Sequence, residues 1–187
     1  MLAEALRTRR LPVLLTREPG GAPGAEVLRE LLLGGSIAWS APAETLLHFA
    51  ARAEHVERTI RPALRDGTWV VCDRFADSTM AYQGYGQGAD RDMIAALTRL
   101  IGLVPDLTLV LDVSLDVAAD RLAARGGRPD AYEARGPAFH AHVAAGFREI
   151  ARDAPERCVL IDASVDAAAV HAAVMRAVAE RLGGDES

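Results

Sequence analysis

The chain has 187 residues, of which 50% are hydrophobic, and its formal net charge is −5. This length is sufficient for one compact domain with its own core, and 26 acidic against 21 basic residues argue against a protein that coats nucleic acid. All 21 basic residues are arginine, which excludes Schiff-base chemistry and a lysine-bearing phosphate loop within these residues.

The two cysteines, Cys72 and Cys158, are too few for a disulfide framework. Both lie in apolar runs, so we predict reduced core residues and a cytoplasmic protein. No apolar run is long enough to cross a membrane, and the first residues are typical of a helix, without a signal-peptide pattern. We therefore expect neither a membrane nor a nucleic-acid partner.

Helices are predicted to alternate with short buried strands along the whole chain. In chain order, the predicted elements are a helix over 2–10, a strand over 11–16, helices over 25–33 and 43–65, a strand over 69–72, two short helices between 77 and 102, a strand over 107–113, helices over 115–125 and 139–152, a strand over 158–162 and a helix over 166–182. The strands are apolar without alternation, which indicates an α/β fold with a parallel sheet and helices on both faces.

Ligands of such sheets bind at the carboxyl ends of the strands, so the polar residues directly after each strand are the first candidates. After the second strand, Asp73 could hold Mg²⁺ near a phosphate, and Arg74 offers a planar donor fork to phosphate oxygens. The alternative is an Asp-Arg pair that closes a turn. Other strands are followed by the Arg17-Glu18 pair, by Asp112 and by Asp162.

Phe49 and Arg52 are three residues apart on a predicted helix and therefore share a face. A flat apolar ring beside a donor fork suits a nucleobase, which would stack on the ring and accept a hydrogen bond from the arginine. The alternative is a core phenylalanine and a solvated arginine.

A third group of polar side chains lies within two helical turns after Asp73 and comprises Ser78, Thr79, Tyr82 and Gln83. These residues could contact polar base edges and pack on a sugar. The nearby glycines at 84, 86 and 88 do not follow a strand and lack the spacing of a nucleotide-binding loop.

Four arginines surround Gly126-Gly127, namely Arg121, Arg125, Arg128 and Arg135. A glycine-rich loop that carries arginines between helices suits a lid that closes over polyphosphate. The alternative is a solvated loop in an arginine-rich protein.

Taken together, the order and spacing of these motifs resemble bacterial thymidylate kinase along nearly the whole chain. The matching strings are Arg17-Glu18-Pro19-Gly20-Gly21, Phe49-Ala50-Ala51-Arg52-Ala53-Glu54-His55, Cys72-Asp73-Arg74-Phe75, Ser78-Thr79, Ala81-Tyr82-Gln83-Gly84, Pro105-Asp106-Leu107-Thr108 and Arg125-Gly126-Gly127. The resemblance implies a P-loop kinase fold over residues 1–187 as a single domain, with a lid segment at about 121–137. It also implies transfer of the γ-phosphoryl group of ATP to dTMP, Mg²⁺ as cofactor, and a homodimer.

The resemblance also implies individual roles in the acceptor site. Phe49 would stack on thymine, Arg52 would bond the base, and Thr79 and Gln83 would face its edge. Tyr82 would pack against the deoxyribose and disfavour a 2′-hydroxyl, and Ser78 would be a further substrate-binding residue. Arg74 would hold the dTMP phosphate with Asp73 near Mg²⁺, Arg17 and Glu18 would line the site, and Arg125 and Arg128 would reach the phosphates from the lid.

Two departures from the family pattern stand out. The lid string is Asp130-Ala131-Tyr132-Glu133, which lacks one arginine of the family. The family's first strand and its glycine-rich loop ending in Gly-Lys-Ser/Thr are missing from these residues. That strand would lie between the strands predicted at 69–72 and 107–113, so we expect the chain alone to be inactive, and either unstable or rearranged to close the gap.

Three interpretations follow from the sequence. The first is a thymidylate kinase whose start lies upstream of Met1. The second is a non-catalytic remnant that binds dTMP, and the third is a related kinase for another deoxynucleotide.

Overall fold

A computed structural model describes residues 1–34, 37–126 and 130–183 of the chain. Its strands are β1 (Val13–Arg17), β2 (Trp69–Asp73), β3 (Thr108–Asp112) and β4 (Cys158–Asp162). The helices of the described residues are α1 (Leu2–Thr8), α2 (Pro23–Leu33), α3 (Ala41–His55), α4 (Arg61–Arg65), α5 (Ala76–Thr79), α6 (Arg91–Ile101), α7 (Leu115–Arg125), α8 (Pro137–Asp153) and α9 (Ala167–Leu182). The predicted alternation of helices and strands is confirmed, and the predicted bounds of β4 and α7 agree with the structure.

Helix ends follow local signals in the sequence. The Asp90 carboxylate accepts hydrogen bonds from two backbone N–H groups at the start of α6, and Asp166 does the same for α9. Gly102, with a φ of 64°, ends α6 in the left-handed conformation that favours glycine. These caps are local signals in the sequence for the ends of α6 and for the start of α9.

The strands pair in two separate parallel sheets. β1 pairs with β2 from Val13–Trp69 to Arg17–Asp73, and β3 pairs with β4 from Thr108–Cys158 to Asp112–Asp162. The sequence predicted one parallel sheet, whereas the described residues form two sheets of two strands, because β2 and β3 share no hydrogen-bonded ladder.

A wide apolar cleft separates the two sheets. Its volume is about 860 Å³, and it is lined by β2, β3 and apolar side chains that include Leu2 and Leu6 of α1 and Val178 and Leu182 of α9. The cleft lies where the resemblance placed the missing strand. That a further strand belongs there remains a prediction.

Helix α3 and helix α4 are joined by a π-helical turn, Val56–Ile60, and a second π-helical segment, Met80–Gly86, follows α5. The sequence predicted one regular helix over 43–65 and did not anticipate the wider turns. Such turns alter the angular position of the side chains around them and are frequent near functional sites. Here the first directly follows the end of α3, which carries Arg52, and the second itself carries Tyr82 and Gln83.

The two sheets are connected by side chains as well as by the chain itself. Arg157, just before β4, donates to both carboxylate oxygens of Asp77 in α5, at 2.6 and 2.8 Å. Helix α8 packs on Met80–Gly86, where a Cβ atom at Gly146 would come within 2.7 Å of the Tyr85 ring. In the described part of the chain, no helix is both long and apolar enough to span a membrane.

Candidate active site

A second, smaller cavity of about 140 Å³ opens at the carboxyl ends of β1 and β2. Helices α2, α3 and α5, the segment Met80–Gly86 and the loop before α8 supply further walls. Nine of the predicted residues line it: Arg17, Glu18, Arg52, Asp73, Arg74, Ser78, Thr79, Tyr82 and Gln83. The structure therefore brings together residues that are up to 66 positions apart in the sequence, from Arg17 to Gln83.

The two strand ends are held in register beside the cavity. Arg17 pairs with Asp73 across the ladder, and the Glu18 N–H donates to the Asp73 carbonyl at 2.9 Å. Arg74 follows with a φ of 67°, a conformation uncommon for a residue with a side chain and one that is frequent at functional sites. Its guanidinium lies 4.8 Å above the Tyr82 ring, a favourable cation–π arrangement.

Arg52 is the most enclosed cation of the cavity, with 2% of its surface exposed. Its Nε donates to Glu18 Oε2 at 2.8 Å, and its Nη2 donates to Thr79 Oγ1 at 3.0 Å. Among the described residues, Arg52 Nη1 is the one buried side-chain nitrogen or oxygen without a hydrogen-bond partner. An unpaired buried donor is costly, so Nη1 is the donor in this cavity that an acceptor on a ligand would satisfy. The alternative of a solvated Arg52 is wrong.

Glu18 connects Arg52 to a second buried group. Its other oxygen, Oε1, lies 3.1 Å from His55 Nδ1, and His55 Nε2 lies 2.8 Å from Thr16 Oγ1. Glu18 is 5% exposed and His55 is fully buried. The sequence predicted Glu18 but not the contributions of His55 and Thr16.

A second polar cluster, centred on Glu44, was also not predicted. Glu44 Oε1 accepts from Gln83 Nε2 at 2.9 Å, from Gln87 Nε2 at 2.7 Å and from Tyr132 Oη at 2.7 Å. Tyr132 Oη lies 2.8 Å from His48 Nε2. The positions of Glu44, His48 and Arg52 at intervals of four residues on one helix were the available signal.

His48 is a neutral hydrogen-bond donor in this cluster. Because Tyr132 donates its single proton to Glu44, the bond between the imidazole and the phenol requires a proton on His48 Nε2. Burial, together with the charges of Arg52 and Arg74, lowers the pKa of His48 to about 3. Burial and the adjacent Glu44 carboxylate raise the pKa of Tyr132, so the phenol keeps its proton.

Phe49 is a core residue in this structure. It is 4% exposed, lies in a core cluster with Ala89 and Ile94, and is not among the residues that line the cavity. The guanidinium of Arg52 lies 4.6 Å from the centre of its ring. The aromatic ring of α3 that lines the cavity belongs to the neighbouring residue, His48. Stacking of Phe49 on a base remains a prediction.

The predicted lid arginines are only partly described. Arg125 is exposed and donates to both oxygens of Glu133 at 2.7 and 2.8 Å, but it does not line the cavity. Arg128 lies outside the described residues. The lid role of the segment 121–137, and of both arginines, remains a prediction.

The cavity offers a limited metal site. Asp73 is exposed at its rim, and the described residues contain no group of three histidine, cysteine, aspartate or glutamate side chains placed to hold a metal ion. Mg²⁺ commonly takes one or two carboxylates together with substrate phosphates and water. A single Asp73 carboxylate fits that mode of binding and does not fit a metal cage made by protein alone.

Comparisons with known proteins agree on one family. The family model described as "Thymidylate kinase" matches residues 1–174. The thymidylate kinase of Caulobacter vibrioides is 51% identical over 185 residues, covering 97% of this chain and 88% of that protein, and that of Gluconobacter oxydans is 50% identical, covering 97% and 87%. A crystal structure of thymidylate kinase from Ehrlichia chaffeensis superimposes with a TM-score of 0.76 at 36% identity, over 95% of this chain and 86% of that one.

Proposed function

Because the chain belongs to the thymidylate kinase family, we propose that its small cavity binds dTMP as the acceptor of the γ-phosphoryl group of ATP. The observation that carries this proposal is the unpartnered Nη1 of Arg52, a buried charged donor in a cavity with polar walls. A carbonyl oxygen of thymine is the kind of acceptor that this donor lacks. Thr79 and Gln83, both almost fully buried, are assigned to the same base edge.

The phosphate of dTMP is assigned to the open, cationic side of the cavity. Arg74 lies at the carboxyl end of β2, and Arg17 and Arg29 line the same rim. Arg17 is held by Glu26 at 3.1 Å, and Arg29 Nη1 donates to the Pro19 carbonyl at 2.6 Å. A planar guanidinium bonds two phosphate oxygens at once. Tyr82, whose ring lies under the Arg74 guanidinium, is assigned to the deoxyribose, and Ser78, which lines the same cavity, is assigned to substrate binding.

Transfer of phosphate from ATP requires more than the residues assigned above to dTMP. Phosphoryl transfer depends on neutralising the charge that develops on the transferred group. Asp73 would hold Mg²⁺ with the phosphates, and the ion, when bound, supplies part of that neutralisation. The 187 residues contain no lysine, and Arg125, the predicted lid arginine among the described residues, is bonded to Glu133. We therefore propose that the chain by itself binds dTMP without transferring phosphate.

Two measurements on the same preparation test this proposal. Titration calorimetry with dTMP is expected to give saturable heat, and a coupled assay with ATP, Mg²⁺ and dTMP is expected to give no ADP above the blank. Arg52→Lys, which keeps the charge and removes the Nη1 donor, should weaken dTMP binding about tenfold. Arg58→Lys is the control, because Arg58 is exposed and pairs with Glu54 on the same helical surface.

The two measurements test the dTMP site and the proposed inactivity separately. Absence of heat with dTMP would refute the acceptor site, whereas turnover would refute the proposed inactivity and leave the site in place. Titrations with dUMP, dCMP and UMP address the alternative acceptors. A thymine site predicts that dTMP binds most tightly and UMP most weakly, because Tyr82 opposes a 2′-hydroxyl.

We also propose a homodimer in the cytoplasm. Helices α2 and α3 pack together and leave Val27, Leu31 and Leu46 between 41% and 61% exposed, and apolar side chains on adjacent helices are typical of an interface. The cytoplasmic location is supported by the two free cysteines, because thiols stay reduced in that compartment. Sedimentation of the wild type and of Leu46→Glu tests the dimer, and an unchanged monomeric mass in both would contradict it.

A further inference from the structure

The carboxylate of Glu18 is fully engaged by the protein. Oε2 accepts the Nε–H of Arg52 at 2.8 Å, and Oε1 faces Nδ1 of His55 at 3.1 Å. The side chain is buried, and a phosphate or a carbonyl oxygen of a nucleotide would be repelled by its negative charge. Glu18 lines the cavity, yet its contacts point to a role in holding Arg52 and not in binding the substrate directly.

On the side of Glu18 that faces away from Arg52, His55 is held by Thr16 of β1. Because a carboxylate only accepts, His55 Nδ1 donates to Glu18, and His55 Nε2 lies 2.8 Å from Thr16 Oγ1. The turn after β1 closes over the ring, since a Cβ atom at Gly21 would collide with His55. The imidazole is fully buried and has no space to rotate away from Glu18.

On its other side, Glu18 contacts the guanidinium of Arg52. Glu18 holds the Nε edge, and Thr79 accepts from Nη2 at 3.0 Å. The rings of Phe49 and Phe75 lie 4.6 and 5.2 Å from its central carbon. Two hydrogen bonds on different nitrogens determine the orientation of a planar group, so the direction of the remaining donor, Nη1, is determined as well.

We propose that Glu18 is a positioning residue that orients Arg52 toward the substrate, with Thr16 and His55 holding Glu18 in turn. The assignment of Arg52 Nη1 to a thymine oxygen rests on the proposed function. The fixation of Arg52 by the chain Thr16–His55–Glu18 rests on the distances alone. Supporting groups of this kind commonly change affinity or rate about tenfold or more when they are removed.

A spectroscopic experiment tests the fixation without any nucleotide. In heteronuclear NMR spectra of the whole chain, the Nε–H of Arg52 should exchange slowly with solvent because it is buried and bonded to Glu18. Glu18→Ala should make this exchange at least tenfold faster. Glu44→Ala is the matched control, because Glu44 is similarly buried but contacts Gln83, Gln87 and Tyr132. An Arg52 signal unaffected by Glu18→Ala would overturn the proposal.

A double-mutant cycle tests the consequence for dTMP binding. Glu18→Ala is expected to weaken binding about tenfold in the wild type, and by less than about twofold in the Arg52→Lys background. Glu18→Gln, which keeps an acceptor for the Nε–H, should recover part of the affinity. Equal losses in both backgrounds would mean that Glu18 contacts the substrate directly, which would overturn its role through Arg52.

Thr16→Val provides a milder variant if Glu18→Ala does not fold. It removes the hydroxyl that contacts His55 and leaves Glu18 and Arg52 in place. We therefore expect the Nε–H of Arg52 to exchange faster in Thr16→Val, and Thr16→Ser should restore the slow rate. Unchanged exchange in Thr16→Val would overturn the proposed chain. If the wild type gave no heat with dTMP, the proposed function would fail, and the exchange rates would still decide the positioning role.

Discussion

The Nε2 atom of His48 lies 2.8 Å from Tyr132 Oη and joins α3 to the loop before α8. The two residues are 84 positions apart, and the contact closes one wall of the candidate site. Tyr132 also donates to Glu44, so the loop is attached to the same helix face that carries Arg52. This attachment has consequences for stability that can be measured.

The first prediction concerns pH. The pKa of His48 is about 3 in the folded chain against 6.5 ordinarily, so between these values the unfolded chain binds a proton that the folded chain does not. The stabilisation is fully present above about pH 6.5 and is lost as the pH falls toward 3, by up to ~1.4 kcal/mol per pH unit. The free energy of unfolding, measured with urea between neutral and acidic pH, should fall less steeply with decreasing pH in His48→Gln than in the wild type. Parallel curves for the two proteins would contradict this prediction.

The second prediction concerns the phenol of Tyr132. Tyr132→Phe removes a donor to Glu44 and an acceptor for His48 and Gln83, leaving buried groups unpaired. We expect the free energy of unfolding to fall by about 1–3 kcal/mol, as measured by chemical denaturation.

Tyr85→Phe is the matched control for that substitution. The Tyr85 hydroxyl donates to Glu149 at 2.7 Å, but the Glu149 side chain is 40% exposed and can bond to water instead. The control should lose less than about 1 kcal/mol. Equal losses in both variants would show that burial of the Tyr132 cluster contributes nothing.

The third prediction concerns the turn after β1. Gly21 has a φ of 83°, and a Cβ atom there would lie within 2.6 Å of Thr16 Oγ1 and closer still to His55. Gly67 has a φ of 70° with no heavy atom within 4 Å of the corresponding position. Gly67→Ala should therefore cost about 1 kcal/mol for its backbone conformation. Gly21→Ala should cost about 2 kcal/mol more, because the side chains that hold Glu18 must move. Equal thermal midpoints would contradict the clash.

The fourth prediction concerns the apolar cleft between the sheets. We expect the folded chain to bind an anilinonaphthalene sulfonate dye before its unfolding transition, because apolar side chains of β2 and β3 line an open volume of about 860 Å³. Val104 lines this cleft and is 58% exposed, whereas Val165 is 42% exposed and lies elsewhere. Val104→Asp should therefore reduce dye fluorescence, and Val165→Asp should not. A cooperatively melting chain that binds no dye would contradict both this prediction and the expected instability.

The sequence by itself determined the succession of helices and strands and the approximate position of each. Periodicity, caps and apolar runs are local properties, and they place α7 and β4 at their observed bounds. The sequence also determined that residues after β1 and β2 meet at one cavity, because the carboxyl ends of parallel strands share an edge. Four of the nine predicted residues that line that cavity come from these strand ends, namely Arg17, Glu18, Asp73 and Arg74.

Only the tertiary structure decided which side chains complete the site. His48 and Phe49 are adjacent in the sequence, and the rotation of α3 against its neighbours, set by packing, directs the first to the cavity and the second to the core. Tyr132 reaches Glu44 from 88 residues away, a distance over which no local pattern operates. The separation of β2 from β3 is equally non-local, since strand pairing depends on the neighbours that the folded chain supplies.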